Sequence, residues 1–193
     1  MLDKTVPYFN VIMKRGVREP TSEFDLPPGF SWTRFIHGNE TEWASIETSV
    51  GEFASEQEAL EYFQREYLPY AHELERRLLF VRAETGEAVG TITSWWNYTG
   101  ERRDPSIHWL AVRNEYQGLG LGKALVSECL KRLAVLDGEK DVWLHTQTWS
   151  HKAIGLYIKA GFQLVEHESF SQYANDYEDA IPILRKTFPS LLK

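Results

Sequence analysis

Three glycines at alternate positions, Gly118, Gly120 and Gly122, lie between an apolar stretch and a long segment with a helical apolar stripe. Because glycine has no Cβ, the backbone N–H groups of such a turn can come close to a ligand and converge on an anion. The helix that follows adds the positive end of its dipole, about half an elementary charge. These residues predict a phosphate or pyrophosphate site; the alternative is a glycine-rich turn before a core helix.

Two common phosphate-binding motifs do not fit this spacing. A P-loop needs Ser or Thr after its Gly-Lys pair, but Gly122-Lys123 is followed by Ala124, and Gln117 stands where the first glycine belongs. A dinucleotide-binding fingerprint, G-x-G-x-x-G, fails at its last glycine from either start. The pattern that fits is Q-x-x-G-x-G, with Gln117, Gly120 and Gly122 at its fixed positions.

A second pattern lies between Thr148 and Phe162. With the loop, it resembles the GNAT superfamily of acetyl-CoA-dependent N-acyltransferases, whose second signature is Asn-x-x-Ala-x-x-Leu-Tyr-x-Lys-x-Gly-Phe and whose pyrophosphate loop is Q/R-x-x-G-x-G/A. The matching residues are Ala153, Leu156, Tyr157, Lys159, Gly161 and Phe162. Ser150 stands at the position of the Asn, where we expect it to cap the helix and to hydrogen-bond a pantetheine amide.

The order of the predicted elements indicates an α+β fold. Hydrophobic patterns predict strands at 8–15, 30–37, 79–83, 88–97, 107–112, 141–148, 162–170 and 181–186. Helices are predicted at 41–46, at 55–77 with a break near Pro69, from Leu121 to near Gly138, and at 150–160; Thr41 and Ser55 are the expected caps of the first two. The resemblance covers residues 30–187 and implies a central mixed, mostly antiparallel sheet, splayed between two parallel strands, with helices on both faces. We expect one domain over 1–193, with 1–29 as an N-terminal strand and linker extension.

The composition is that of a globular protein: 193 residues, 42% hydrophobic and 25% charged. The net charge of −7 disfavours a nucleic-acid partner and mildly favours a cationic substrate. The single cysteine, Cys129, excludes an intrachain disulfide and Cys-rich zinc sites, and the six histidines suggest no metal site. With no signal-like N-terminus and no apolar run of about 20 residues, we expect a cytoplasmic protein without a membrane partner.

The resemblance implies acetyl-CoA as a co-substrate. Its pantetheine arm would lie along the backbone of Leu110, Ala111 and Val112. Its pyrophosphate would rest on the loop, comprising Gln117, Gly118, Leu119, Gly120, Leu121, Gly122 and Lys123. Arg113 and Lys123 flank the loop as candidate phosphate partners, and a surface role for Arg113 stays open.

The same resemblance suggests a catalytic role for Tyr157. A phenol, with a reference pKa of about 10, stays protonated at neutral pH and can donate a proton to the thiolate that leaves the thioester. The base is more open: His145 is the first candidate and His108 the second, since both lie on the strands expected to splay apart. A core tyrosine and a structural strand histidine are the alternatives.

Candidates for the acceptor site are Glu47 and Glu52, between the first two helices, and Trp95, on the hairpin that the strands 79–83 and 88–97 are predicted to form. The carboxylates could bind a cationic amine or serve as the base, and an aromatic wall suits an apolar or cationic amine. Adjacent strand residues face opposite sides, so Trp95 and Trp96 are not both expected to line the acceptor site. A solvated loop for the glutamates, and core packing or a dimer interface for the tryptophans, remain alternatives.

We therefore expect an N-acetyltransferase that moves acetyl from acetyl-CoA to a primary amine of a small-molecule acceptor, by direct attack in a ternary complex. The alternatives are a non-catalytic acyl-CoA-binding or regulatory module, an enzyme acting on a protein or peptide amine, and transfer of a longer acyl group. By family analogy alone, a homodimer through the C-terminal strands is compatible with the sequence.

Overall fold

A computed structural model describes residues 2–20 and 22–189. Its strands are β1 Asn10–Arg15, β2 Phe30–Arg34, β3 Leu78–Ala83, β4 Ala88–Thr99, β5 Arg102–Val112, β6 Val142–Gln147 and β7 Gln163–Leu164. Its α-helices are α1 Glu40–Ser49, α2 Glu56–Glu66, α3 Ala71–Arg77, α4 Leu121–Asp137, α5 His151–Lys159 and α6 Tyr177–Thr187. The pairs β2–β3, β3–β4, β1–β6 and β1–β7 are antiparallel, and β5–β6 is parallel. This confirms the predicted α+β class with mostly antiparallel strands.

The described residues divide into two compact units. The first contains residues 23–94 and 109–129, and the second contains the described residues of 2–22, 95–108 and 130–193. Strands β4 and β5 and helix α4 each run from one unit into the other. That the chain forms a single domain stays a prediction.

In the first unit the hydrogen-bonded strand order is β2-β3-β4-β5. Gly90 on β4 allows close packing there, since a Cβ at this position would lie 3.2 Å from the carbonyl oxygen of Ala111 and 3.3 Å from a methyl of Leu125. The predicted cap of α2 is confirmed: the Ser55 side chain accepts a hydrogen bond of 3.2 Å from the Glu58 backbone N–H.

The core of the first unit is rich in aromatic side chains, with Phe35, Trp43 and Phe63 fully buried. It also buries the guanidinium of Arg77, which donates to a carboxylate oxygen of Glu73 at 2.6 Å and to the carbonyl of Ser94 at 3.1 Å. A charge so deeply buried needs such partners, because an unpaired buried ion lowers the free energy of unfolding by on the order of several kcal/mol.

In the second unit the strand order is β4-β5-β6-β1-β7. Strand β1 lies antiparallel to β6 from Asn10 opposite Gln147 onward, and the parallel contact of β5 with β6 is at Ser106 and Trp143. The core here consists of Ile12, Trp143, Val165 and Phe170. The N-terminal strand expected from the sequence is therefore an interior strand of this unit, between β6 and β7.

The C-terminal segment 181–186 was predicted as a strand, and this is wrong because it lies inside α6. The buried side chains Ala180, Ile181 and Leu184 lie on one helical face. The β-branched residues of this segment are typical of strands and obscured that helical spacing. Only Gln163–Leu164 of the predicted strand 162–170 pairs in the sheet.

Other boundaries also differ from the expectation. Helix α1 extends to Ser49, so Glu47 lies inside this helix and not between the first two helices. Helix α1 begins at Glu40 after Asn39, so Thr41 is inside the helix and is not its cap. Strand β5 begins at Arg102, directly after a turn at Gly100 with a φ of 60°, so β4 and β5 form a hairpin that the polar stretch 97–106 concealed. No α-helix of the described chain is long and apolar enough to cross a membrane.

Candidate functional site

The glycine loop joins the end of β5 to the start of α4 in the first unit. Gly118 and Gly120 have φ values of 85° and 93°, a backbone region that residues with a Cβ rarely adopt. The side-chain amide of Gln117 donates to the carbonyl of Val112 at 2.9 Å and to Asn114 Oδ1 at 3.2 Å, which fixes the loop on the end of β5. The positive end of the 17-residue helix α4 follows at Leu121.

The backbone amides of the first α4 turn are partly used within the loop. The N–H groups of Lys123 and Ala124 both donate to the carbonyl of Gly120, at 3.0 and 3.2 Å. The backbone amide of Lys123 is therefore used within the loop, while its side chain is exposed. The ammonium of Lys123 lies 5.5 Å from the ring centre of Phe24.

Arg113 is held away from such a role by structural contacts. Its guanidinium donates to the carbonyl of Ala88 and to Ser45 Oγ, each at 3.0 Å, and lies 3.5 Å from a carboxylate oxygen of Glu87. These contacts give the Arg113 side chain a structural role, which neither the phosphate role nor the surface role expected from the sequence describes.

The backbone turns sharply at Trp109, just before Leu110, Ala111 and Val112. Its φ of 50° is unusual for a residue with a bulky side chain. The ring lies in an aromatic cluster of Trp43, Phe53, Tyr62 and Trp109, with centroids of the first three 5.4, 5.3 and 5.2 Å from that of Trp109. The packing of four large rings holds this backbone conformation.

Glu47 is the most unusual ionisable group of the first unit. Its side chain is 1% exposed, and neither carboxylate oxygen has a hydrogen-bond partner among the described residues. Burial, and then the charge of Glu52, raises the pKa of the Glu47 carboxyl well above its ordinary value. Glu47 lies one helical turn after Trp43 on α1, so the carboxyl is on the helix face that carries the aromatic cluster.

His145 and His108 lie in the second unit and are both neutral at physiological pH. Burial lowers the pKa of His145 to about 4, although the charge of Asp176 acts to raise it. Burial, and then the charge of His145, lowers the pKa of His108 to about 3. His145 Nε2 lies 2.9 Å from Asn10 Oδ1, and His108 Nε2 lies 2.6 Å from Asn97 Oδ1.

Tyr157 is buried on α5, where its ring packs edge-on against Phe162 with centroids 5.7 Å apart. Gly161 ends this helix with a φ of 90°, as the second sequence pattern predicts. Ser150 occupies the position before the helix, but its side chain makes no capping hydrogen bond, so the predicted cap is wrong. Residues 148–150 instead form a short 3-10 turn, which rotates Ser150 out of the capping conformation.

Trp95 is buried on β4 in the second unit, and its ring stacks on Trp96 with centroids 4.3 Å apart. The alternation of strand side chains predicted opposite orientations, yet the two rings lie together. The guanidinium of Arg103 sits 4.4 Å from the Trp96 ring centre, and this cation–π contact favours the stacked arrangement.

Several residues of these sites were not predicted from the sequence. Trp109 and Trp43 are far apart in the chain, and nothing in the pattern around either indicates a shared cluster. Asn10 contacts His145 directly, and Asp176 contacts Asn10. Neither Asn10 nor Asp176 belongs to a sequence motif. Their only signal is a polar residue at the end of an apolar strand and an acidic residue before a helix.

The comparisons with known proteins agree on one family. A family model described as the acetyltransferase (GNAT) family matches residues 41–162. An N-alpha-acetyltransferase of Sulfurisphaera tokodaii is 30% identical over 109 residues, which cover 52% of this chain and 64% of that protein. A mycothiol acetyltransferase of Streptomyces coelicolor is 26% identical over 171 residues, 84% of this chain and 53% of that protein. The chain therefore spans less than two thirds of the length of these relatives.

Solved structures share the fold. A GCN5-related N-acetyltransferase from Sphaerobacter thermophilus superposes with a TM-score of 0.61 at 22% identity, covering 81% of this chain and 48% of that chain. A tandem GNAT protein from the clavulanic acid biosynthesis pathway gives a TM-score of 0.60 at 16% identity, with 84% and 52% covered. At these identities the similarity concerns the fold.

Proposed function

Since this chain belongs to the acetyltransferase (GNAT) family, we propose that it transfers acetyl from acetyl-CoA to a primary amine of a small-molecule acceptor, by direct attack in a ternary complex. The observation that carries the proposal is the loop Gln117–Lys123. The Gln117 side chain ties this loop to the end of β5, and two positive-φ glycines, Gly118 and Gly120, directly precede α4. This arrangement suits a pyrophosphate, because backbone amides and the helix dipole favour negative charge in the same place.

Acetyl-CoA supplies a thioester whose carbonyl carbon an amine can attack. Gly118 and Gly120 leave the space a Cβ would otherwise fill, with no atom within 4 Å of it at Gly118 and only Pro27 Cγ at 3.9 Å at Gly120. The loop residues from Gln117 to Lys123 would bind the pyrophosphate. The backbone of Leu110, Ala111 and Val112 would bind the pantetheine arm, with Ser150 as a further polar partner.

Tyr157 is the proposed proton donor to the leaving sulfur. Its burial supports this role, since a phenol shielded from water donates without competition from solvent. The amine nitrogen forms a bond to the acyl carbon, the carbon–sulfur bond breaks, and the sulfur receives the phenolic proton. The proton that the amine loses needs a base, for which His145 is the proposed group.

Glu47 and Glu52 are the proposed acceptor-binding carboxylates, and Trp95 is proposed as an aromatic contact. Among the described residues the buried carboxyl of Glu47 has no hydrogen-bond partner, so an ammonium N–H donor would satisfy an otherwise costly group. The aromatic cluster on the same helix face suits an amine attached to an apolar or aromatic group. The two named relatives differ in the acceptor that their names describe, so neither fixes the acceptor of this chain.

The test combines calorimetric titration of acetyl-CoA with an assay of CoA thiol release over a panel of amines. The panel contains amino acids, polyamines, arylalkylamines and peptides with a free N-terminus. Saturable binding with release that depends on a small amine supports the proposal. Release only with peptides would favour the peptide-amine alternative, and binding without turnover would favour the non-catalytic module. Absence of acetyl-CoA binding would overturn the proposal altogether.

A further inference from the structure

His145 belongs to a hydrogen-bonded chain that lies wholly in the second unit. Its Nε2 is 2.9 Å from Oδ1 of Asn10 on β1. The Asn10 side-chain amide donates to Oδ2 of Asp176 at 2.9 Å, and the Asn10 backbone N–H donates to the same oxygen at 2.8 Å. Asn10 and Asp176 both lie outside residues 41–162, the region that matches the family model.

The contact with Asp176 fixes the orientation of the Asn10 amide. A carboxylate oxygen only accepts hydrogen bonds, so the group of Asn10 that faces it must be the NH₂. The carbonyl oxygen Oδ1 therefore faces His145, and the Tyr8 hydroxyl also donates to it at 3.3 Å. An amide oxygen has two lone pairs, and these two contacts use both.

The orientation of Asn10 in turn fixes the tautomer of His145. Since Asn10 Oδ1 is an acceptor, His145 Nε2 must carry the hydrogen, and the lone pair of the neutral ring is on Nδ1. The ring is also held in plane by Tyr173, which stacks on it at 3.8 Å with an interplanar angle of 4°. His145 thus presents one basic nitrogen in one orientation.

We propose that Asn10 and Asp176 are positioning residues that hold His145 as its Nε2–H tautomer, so that Nδ1 takes the proton lost by the acceptor amine. This rests on the proposed acetyl transfer. The nitrogen of the amine becomes acidic as its bond to the acyl carbon forms, and its proton moves to Nδ1. The resulting imidazolium keeps its Nε2–H bond to Asn10, whose amide connects it to the negative charge of Asp176.

The surroundings of His145 act on its protonation in opposite directions. The titratable groups that face or contact its hydrogen-bonded chain are Asp176 from the start of α6, His108 from β5, Tyr173 from the preceding loop and Tyr8 before β1. Burial has the larger effect, so the ring is neutral before reaction and releases the proton readily after it, while Asp176 acts in the other direction and favours the imidazolium.

His108 offers a matched comparison within the same unit. Its Nε2 is 2.6 Å from Asn97 Oδ1, but the Asn97 amide donates to a hydroxyl, Ser171 Oγ, at 3.5 Å. A hydroxyl both donates and accepts, so it does not fix the amide orientation as a carboxylate does. Asn10 thus connects His145 to the charged Asp176, whereas Asn97 connects His108 to the neutral side chain of Ser171.

The test measures ring ¹⁵N chemical shifts in the full-length protein, with the His145 signals assigned by their loss in H145Q. Wild-type His145 should show the Nε2–H pattern at pH 7. N10A should mix the tautomers and lower kcat about tenfold or more, with the Kd of acetyl-CoA unchanged. D176N can still accept both Asn10 hydrogen bonds, so it should keep the tautomer while lowering the His145 titration midpoint. N97A is the control and should leave the His145 signals as they are.

H145Q separates base chemistry from structure, because a glutamine amide can still donate to Asn10. It should lower kcat about 100-fold, in the range of general-base effects, without weakening acetyl-CoA binding. An Nδ1–H pattern in the wild type, an unchanged tautomer in N10A, or wild-type kcat in H145Q would each overturn the proposal. If acetyl-CoA binds but the wild type turns over no amine, the proposed function fails and the base role with it, whereas the shifts still report the tautomer independently.

Discussion

Trp109 packs edge-on against Trp43, with ring centroids 5.4 Å apart and an interplanar angle of 82°. The contact joins two parts of the first unit that the sequence separates widely. Trp109 directly precedes the Leu110–Val112 backbone proposed for pantetheine, and Trp43 lies one helical turn before Glu47. The contact therefore relates the proposed acyl-donor segment to the proposed acceptor carboxylate through a rigid pair of rings.

Replacement of Trp109 tests whether the aromatic cluster binds the acceptor. W109A should raise the acceptor KM about tenfold, a loss of roughly 1.4 kcal/mol, because three ring contacts disappear, while W109F should keep most of the affinity. The Kd of acetyl-CoA, measured by calorimetry, should change little in W109F. In W109A it should rise as well, because the ring also holds the backbone that leads into Leu110–Val112. Equal acceptor KM values for wild type, W109F and W109A would show that the cluster is only structural.

The backbone at Trp109 provides the control for that experiment. W109G removes the same ring, but glycine adopts a φ of 50° without strain. W109G should therefore be more stable than W109A by about 1 kcal/mol, since a left-handed conformation costs a residue with a Cβ about that much. Both variants should show the same acceptor KM if the ring alone provides the binding.

Gly118 tests the anion site of the loop. G118A places a Cβ where no atom lies within 4 Å, so crowding in the free protein is not the cause of any defect. The φ of 85° makes alanine unfavourable by about 1–2 kcal/mol and displaces the loop amides. Calorimetry should show acetyl-CoA binding weakened about tenfold or more, because the amides no longer converge on the pyrophosphate.

Gly138 supplies the matched control, since it also has a positive φ, of 80°, and open space around it, but follows the other end of α4. G138A should lose similar stability in thermal unfolding and bind acetyl-CoA as the wild type does. Equal weakening in both variants would mean that lost stability, rather than the loop, controls binding.

The sequence predicted the elements whose signals are local. The Ser55–Glu58 capping box, the Gly161 helix end and the start of α4 after the glycine loop all depend on residues within one turn of each other. The Q-x-x-G-x-G spacing also identified a family that the comparisons confirm. Short-range hydrogen bonds and backbone sterics determine such features, so a few residue types suffice to indicate them.

The features that the sequence did not reveal depend on distant contacts. The segment 181–186 lies inside α6, but its sequence predicts a strand because Pro182 is disfavoured in the interior of a helix. The Asn10–Asp176 contact joins residues 166 positions apart, and polar residues at such positions are common in any sequence. The side chain of Glu47 is buried without a hydrogen-bond partner among the described residues. The sequence does not indicate this burial, because a glutamate on a helix is ordinarily exposed.

The burial of Glu47 predicts an unusual pH dependence of stability. A carboxyl whose folded pKa is raised above its unfolded value stabilises the fold fully below the unfolded pKa, and this contribution falls as pH rises through the folded pKa. The wild-type free energy of unfolding should therefore fall relative to that of E47Q above about pH 4.3, the ordinary value for glutamate. The limiting slope is about 1.4 kcal/mol per pH unit.

Denaturant unfolding of both proteins between pH 4 and pH 9 measures this difference. E52Q is the companion variant: removing the neighbouring charge lets Glu47 ionise at lower pH, so the pH range over which stability falls should narrow. Parallel curves for the wild type and E47Q would contradict a buried, unpaired carboxyl at this position. A cationic acceptor that binds Glu47 should stabilise the wild type more than E47Q at high pH.

Tyr157 tests the chemical step directly. Y157F keeps the ring and its edge-on contact with Phe162 while removing the hydroxyl that we propose protonates the leaving sulfur. We expect kcat to fall about 100-fold, at the lower end of general-acid effects, with the Kd of acetyl-CoA nearly unchanged. Tyr67 is buried in the first unit to a similar degree and packs against Trp43 and Tyr62 of the aromatic cluster. Y67F therefore controls for the loss of a buried phenol: it should keep kcat even if the acceptor KM changes. The rate of acetyl transfer in a single turnover distinguishes the outcomes. A wild-type rate in Y157F would show that this side chain does not protonate the leaving thiolate.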